Sequence, residues 1–270
     1  MGSLEGNLVK MDVTGTVPAG YFLRLGGVRI DMNRLIGSDL SLKYLGKIHC
    51  IKCGAETRSS FFQGYCYSCF LTAPEAEECV LNPEKCRAHE GFARDMVYAE
   101  AHCLIPHVVY LAESGGLKVG VTRISQVPSR WIDQGASQAI ELARTPNRYL
   151  AGLLEVELKK HLSDKTNWRK MLMGAGDGET DLEVFREGIR AMVPEEFRAY
   201  LSGEIPPVSI KYPVLSYPRK VISVNLEKEG AISGKLQGIR AQYLIFEGGF
   251  VINIRKYGGY LVELESSLIE

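Results

Sequence analysis

His107-Val108-Val109-Tyr110-Leu111-Ala112-Glu113-Ser114-Gly115-Gly116-Leu117-Lys118-Val119-Gly120-Val121-Thr122 is the stretch on which the fold turns. Two runs rich in β-branched and apolar residues flank a turn that holds paired glycines, the pattern of a β-hairpin. It predicts a strand at 107–112, a turn over Glu113-Ser114-Gly115-Gly116 and a second strand at 117–122. Helices are expected near 128–141 and 149–162. In the latter, Leu150, Leu154, Leu158 and Leu162 recur every four residues and define an apolar stripe. Residues 107–172 therefore read as an α/β unit at the centre of an α+β chain.

On the N-terminal side of the hairpin lie the cysteines. Cys50-Ile51-Lys52-Cys53 and Cys66-Tyr67-Ser68-Cys69 are two CxxC pairs with twelve residues between them. Two short knuckles of this kind supply four soft tetrahedral ligands for Zn²⁺, the arrangement of a zinc ribbon. Gly54 follows the first pair, where a knuckle often needs positive φ. Four thiolates leave no open coordination position, so the expected zinc is structural rather than catalytic. Cys79, Cys86, His89 and Cys103 follow at irregular spacing and form a second candidate Cys₃His site. His102 competes with Cys103 for its last place. Small buried thiols, or an iron–sulfur site, are the alternatives there. The metal expectation is one or two structural Zn²⁺.

Around these segments, residues 1–48 read as an N-terminal β segment and 49–106 as a zinc-binding Cys/His region. Residues 173–207 read as an acidic helical connector and 208–270 as a C-terminal β module, a small barrel or meander. Gly248-Gly249 and Gly258-Gly259 sit between apolar strands, as hairpin turns require. Residues 7–48 are a candidate to complete the same barrel. In the tail, Lys220, Lys235, Arg240, Arg255 and Lys256 take exposed-looking positions among Tyr243, Phe246, Phe250, Tyr257 and Tyr260. Small barrels with basic and aromatic surfaces are common platforms for single strands, yet most of these aromatics are expected in the core, because a barrel this small needs them.

Formal net charge is zero, so no global field points to nucleic acid. Its distribution is uneven. Residues 107–171 carry ten Lys/Arg against six Asp/Glu, 173–207 three against eight, and 208–262 eight against three. Six of seven cysteines fall within residues 50–86, which suits reduced thiolates on metal and a cytosolic setting. The first residues lack the basic and apolar regions of a signal peptide, and no run reaches the length of a membrane span. No organic cofactor motif is present.

The hairpin carries a resemblance. Val108-Val109-Tyr110 followed by Lys118-Val119-Gly120 resembles the paired motif of the GIY-YIG nuclease superfamily, in variants whose second motif reads Lys-Ile-Gly-Ile-Thr. It covers residues 107–170, about a quarter of the chain. The resemblance implies that Tyr110 is the phenol beside the attacking water and that Lys118 replaces the second motif's tyrosine. It implies that Gly120 permits close backbone approach, that Arg130 contacts the scissile phosphate and that Glu155 holds one Mg²⁺ or Mn²⁺. Val108 stands where the family has glycine, and the histidine many members carry after the arginine has no counterpart, His161 arriving too late. Downstream, Lys165 and Arg169 in Ser163-Asp164-Lys165-Thr166-Asn167-Trp168-Arg169, and Arg123 after the second motif, are candidate nucleic-acid contacts. Trp131 is read as core in preference to a base-stacking residue.

The whole chain also resembles an uncharacterised bacterial family that carries, in this order, the paired CxxC segment, the Cys/His segment, Lys118-Val119-Gly120-Val121-Thr122-Arg123 and Asp164-Lys165-Thr166-Asn167-Trp168-Arg169. Gly238–Phe246 and Asn253–Tyr257 fit it as well. The resulting expectation is a zinc-stabilised protein that binds nucleic acid, RNA or DNA, through a GIY-YIG-like cleft with metal-dependent nuclease chemistry. A non-catalytic RNA- or DNA-binding factor and a zinc-dependent protein-interaction scaffold are the alternatives.

Overall fold

The computed structural model describes residues 2–162 and 167–269. In chain order the strands are β1 Gly2–Asn7, β2 Asp12–Thr14, β3 Gly20–Leu25, β4 Val28–Asp31, β5 Asp39–His49, β6 Glu56–Thr57, β7 His107–Glu113 and β8 Leu117–Arg123. They continue as β9 Gln138–Thr145, β10 Val208–Ser209, β11 Ile222–Ser223, β12 Ala231–Arg240, β13 Tyr243–Phe246, β14 Phe250–Asn253 and β15 Tyr260–Ser266. The α-helices are α1 Tyr67–Thr72, α2 Met96–His102, α3 Ser129–Asp133, α4 Arg148–Lys159, α5 Trp168–Leu172, α6 Leu182–Arg190 and α7 Leu226–Glu229. The chain divides into two compact units, residues 1–71 with 211–270, and residues 72–210. The Cys-rich stretch 49–106 is thus shared between them. No helix among the described residues is long and apolar enough to cross a membrane.

The first unit is a mixed sheet in the order β1-β15-β5-β12-β13-β14-β11, with β6 added to β5. Chain start and chain end are neighbours in it, with Gly2 opposite Ser266 and Asn7 opposite Leu261. In β15 alternate residues Tyr260, Val262, Leu264 and Ser266 are buried, the period of a half-buried strand. The sheet does not close, which corrects the barrel expectation. β11 is a two-residue parallel edge on β14 and does not meet β1. Pro213 and Pro218 precede it, and proline cannot donate to a ladder, so this segment offers only a short edge.

Two further tail expectations change. Arg240 is fully buried, its guanidinium lying over the rings of Tyr212 and Tyr217 at 4.8 and 5.7 Å. Phe246, Tyr257 and Tyr260 are core, while Phe250 is exposed. Gly248-Gly249 does connect the antiparallel β13 and β14. Gly258-Gly259 makes no hairpin. Instead, a Cβ at Gly258 would stand 2.1 Å from the Gln63 carbonyl, and one at Gly259 2.2 Å from that of His49. The glycines let the cysteine-bearing segment lie directly on the start of β15.

The second unit is built on a four-stranded sheet, β10-β9-β7-β8, in which β7 is central and fully buried. The hairpin is present in the expected register, with Tyr110 opposite Gly120 and Ala112 opposite Lys118. The helix expected near 128–141 is shorter than expected, and its last part is strand. α3 is one short helix that stops before Gly135 (φ +72°), and β9 follows, antiparallel to β7. One face of the sheet packs Val109, Leu111, Val119, Ile140 and Leu142 against Ala151, Leu154 and Leu158 of α4 and Leu182 and Ile189 of α6. The acidic segment supplies α6 and a 3₁₀ turn over Glu195–Tyr200.

Candidate functional site

Three side-chain groups gather chemistry. The first is the cysteine tetrad. β5 delivers Cys50 immediately after its last residue, and the second pair flanks the start of α1. The sulfurs of Cys50, Cys53, Cys66 and Cys69 lie within 4.8 Å of one another, Cys53 and Cys66 at 3.9 Å. Two knuckle amides point at sulfur, Lys52 N–H to Cys50 Sγ at 3.4 Å and Cys69 N–H to Cys66 Sγ at 3.5 Å. Gly54 has the left-handed backbone that the knuckle needs, φ +74°. Burial raises the Cys50 thiol, but the amides of Cys53, Cys66 and Lys52 outweigh it and bring the group down to about 6. Cys69 is pushed up to about 12, by burial and then by the neighbouring thiols. Four thiolates cannot assemble without a cation between them, and this set can hold a structural zinc ion.

The second group is a buried triad. Cys79 lies in a 3₁₀ turn, Cys86 follows another over Pro83–Lys85, and Cys103 caps α2. Their sulfurs also lie within 4.8 Å of one another. His89, expected as a fourth ligand, is not among them. Its ring stacks on Tyr149 at 4.2 Å, and Nε2 is 3.8 Å from the Glu90 carboxylate. His102 stacks on Tyr98 at 3.8 Å and bonds the Tyr98 carbonyl through Nδ1. The guanidinium of Arg148 reaches the triad instead, Nη1 to Cys79 Sγ at 3.4 Å and Nη2 to the His102 carbonyl at 3.2 Å.

The third group lies under the hairpin. Tyr110 is fully buried, and its hydroxyl donates to Gln134 Oε1 at 2.8 Å. The buried ammonium of Lys118 donates to the same oxygen at 2.6 Å. Gly120 is required here by a close approach, because a Cβ would stand 2.6 Å from the Tyr110 hydroxyl. Burial pushes the Tyr110 phenol up to about 12. The neighbouring Arg130 guanidinium opposes that shift and the Glu155 carboxylate adds to it. Glu155 is buried on α4 and paired with Lys159 at 3.2 Å, whereas Arg130 on α3 is half-buried. Trp131 is buried beside Tyr110 with ring centroids 5.8 Å apart, a core position.

Tyr110, Lys118, Arg130 and Glu155 thus act on one locality. Gln134, which joins the first two, carried no signal of its own in the sequence beyond being a polar residue that ends a buried helical turn. Arg123 is elsewhere: strand alternation sets it opposite in face to Lys118 and Gly120, and its charged neighbours are Tyr98, Arg148 and Cys103. Arg169 is exposed, with its guanidinium 4.2 Å from the Trp168 ring centroid. Lys165 lies outside the described residues. Among the described residues, only the two cysteine groups bring three or more His, Cys, Asp or Glu ligand atoms together.

One protein family, described as Protein of unknown function (DUF2797), matches residues 37–262, most of the chain. No curated protein matches, and no solved structure matches.

Proposed function

We propose that this chain, which belongs to the family of proteins of unknown function DUF2797, is a zinc-stabilised nucleic-acid-binding protein whose hairpin cluster is a GIY-YIG-like phosphodiester site. The observation that carries this reading is the meeting of the Tyr110 hydroxyl and the Lys118 ammonium on Gln134 Oε1, with Arg130 and Glu155 acting on the same phenol. A phosphodiester needs this combination of a hydroxyl donor, cations and one carboxylate. The excess of Lys/Arg over residues 107–171 favours a phosphate-bearing partner.

With its pKa near 12, Tyr110 keeps its proton at neutral pH. It therefore acts as a hydrogen-bond donor to a phosphate oxygen or to the attacking water, not as a base. Lys118 holds Gln134, the same acceptor that the phenol uses. Arg130, the half-buried member, offers its planar fork to the non-bridging oxygens. Glu155 is the carboxylate available to Mg²⁺ or Mn²⁺ and must exchange its Lys159 partner to serve. When bound, such a cation would neutralise phosphate charge, with water and substrate oxygens completing its shell. The zinc of the tetrad is structural in this reading.

A second reading, phosphate binding without cleavage, draws on a specific observation: Tyr110, Lys118 and Glu155 are all buried, and only Arg130 is half open. The test is incubation of zinc-loaded protein with pooled labelled RNA and DNA, with and without Mg²⁺ or Mn²⁺, beside Glu155→Ala. Cleavage that needs the added metal and vanishes in the variant is the expected result. Intact substrates that shift on a gel equally with both proteins would demote the cleft to a binding groove. Neither cleavage nor shift would overturn both readings in favour of a protein-interaction scaffold.

A further inference from the structure

The buried triad touches a charge that thiol packing alone does not explain. Arg148 is 8% exposed, and the partners of its guanidinium are the Cys79 sulfur at 3.4 Å and the His102 carbonyl at 3.2 Å. Neither is a carboxylate. A buried guanidinium is costly unless an anion offsets it, and a cysteine in contact with it can become that anion. Cys79, Cys86 and Cys103 are themselves buried. Three thiolates in such a place need a cation among them. Sulfurs held about 2.3 Å from one zinc ion stand about 4 Å apart, and these three lie within 4.8 Å of one another. Three thiolates, one Zn²⁺ and one guanidinium sum to zero charge.

The same cysteines are joined to α4 through its first turns. The Arg148 backbone N–H bonds the Cys103 carbonyl at 2.8 Å. Tyr149 packs on the buried cluster that contains Cys79, Cys86 and Cys103, and stacks on His89. Pro83 and Glu84, which lie between Cys79 and Cys86 in the chain, meet the next turn of the helix. They press so closely that a Cβ at Gly152 would stand 2.1 Å from the Glu84 amide nitrogen. Arg148, Gly152, Glu155 and Lys159 recur at the spacing that keeps one helix face. The face seated on the cysteine segments is therefore also the face that carries Glu155.

We propose that Cys79, Cys86 and Cys103 bind a second zinc ion as three thiolates, with Arg148 as the outer counter-charge, and that this ion fixes the position of α4. Binding releases the three thiol protons to solvent, and water completes the coordination. Without the ion, the 3₁₀ turns around Cys79 and Cys86 and the cap of α2 at Cys103 lose their common anchor. The start of α4 then loosens, and Glu155 with it. The effect on cleavage rests on the phosphodiester reading, whereas the ion and its hold on the helix do not.

The test is metal content, cobalt spectroscopy and amide hydrogen exchange on the full chain, with no nucleic acid present. Cys86→Ser should carry one zinc ion fewer than the wild type. The amides of α4 should exchange about ten-fold faster in it, while those of the tetrad knuckles are unchanged. Arg148→Met should weaken zinc binding at the triad about ten-fold and leave the tetrad alone. If Cys86→Ser does not fold, Cys86→His decides. It should keep the full zinc complement, with the cobalt spectrum of the triad moving from three thiolates to two thiolates and an imidazole. Equal zinc in wild type and Cys86→Ser would overturn the site, as would iron with inorganic sulfide or a cobalt spectrum that Cys86→His leaves unchanged. Undiminished affinity in Arg148→Met would overturn the counter-charge. Loss of the ion with α4 exchange unaltered would overturn its hold on the helix.

Discussion

The cysteine tetrad and the hairpin cluster are both small groups of polar side chains, yet they are opposite in design. The tetrad sits in a segment where Cys53 is exposed, and its ligands come from two knuckles spaced by local turns. The hairpin cluster takes Tyr110 and Lys118 from paired strands, Arg130 and Gln134 from α3 and its cap, and Glu155 from α4, and it buries most of them. The first group needs only an ion to be complete. The second depends on the packing of the whole unit, and its groups acquire their character from that packing, as the raised pKa of Tyr110 shows. A metal site of the first kind can stabilise a fold without saying what the fold does. A cluster of the second kind is stabilising only in part, and burying a lysine and a glutamate is a cost that a functional site explains.

The largest effect that would sharpen this contrast is loss of the tetrad. Cys66→Ser should release its zinc and with it most of the roughly 10 kcal/mol that structural zinc provides in small zinc domains. Metal analysis and thermal unfolding would show it, with the hairpin unit retaining its own fold. If zinc content and melting were unchanged, the tetrad would not be a zinc site. Next comes the cleft. Glu155→Gln should reduce metal-dependent cleavage on the order of 10³-fold with little change in melting temperature. A variant that loses stability and activity together would make Glu155 a packing residue.

Smaller is the pH effect of Tyr110. Its folded pKa, about 12, lies above the ordinary value of 10, so the native state keeps a proton that the unfolded chain gives up. Its share of stability is complete below pH 10 and is lost as pH rises toward 12, by about 2–3 kcal/mol over that window. Denaturant unfolding of wild type and Tyr110→Phe at pH 8 and pH 11 checks the sign: the wild type should lose more than the variant. Equal losses would mean the phenol is not buried as described. Smallest is Arg169→Ala. On the proposed reading, removing this exposed cation should weaken binding a few-fold for every sequence and lower the salt slope by about one. A change confined to certain sequences would make Arg169 a base contact.

The same contrast governs what could be read from the chain alone. The CxxC pairs state their own geometry, and the hairpin was visible in the two apolar runs that flank Gly115-Gly116. The hairpin's partner strand was not. Gln138-Ala139-Ile140-Glu141-Leu142-Ala143 is rich in good helix formers, and its apolar residues fit a helical stripe as well as a buried strand. Pairing with β7 decides the matter, and local propensity yields to it. The tail misled in the opposite direction. Arg240 looked like a surface charge because nothing local announces the two tyrosines that receive it. Gln134 escaped notice for the same reason: it matters through contacts with residues distant in sequence. His89, by contrast, was expected as a ligand and instead stacks on Tyr149.

The measurement that tests the phosphodiester site most directly is an NMR titration of the labelled protein with a non-hydrolysable phosphorothioate dinucleotide in the presence of Mg²⁺. The prediction is that the Gln134 side-chain amide, the Gly120 backbone amide and the Arg130 guanidinium shift together and saturate, while Cys53 and Gly54 of the tetrad do not move. Shifts confined to the tetrad or the tail, or none at saturating ligand, would contradict it.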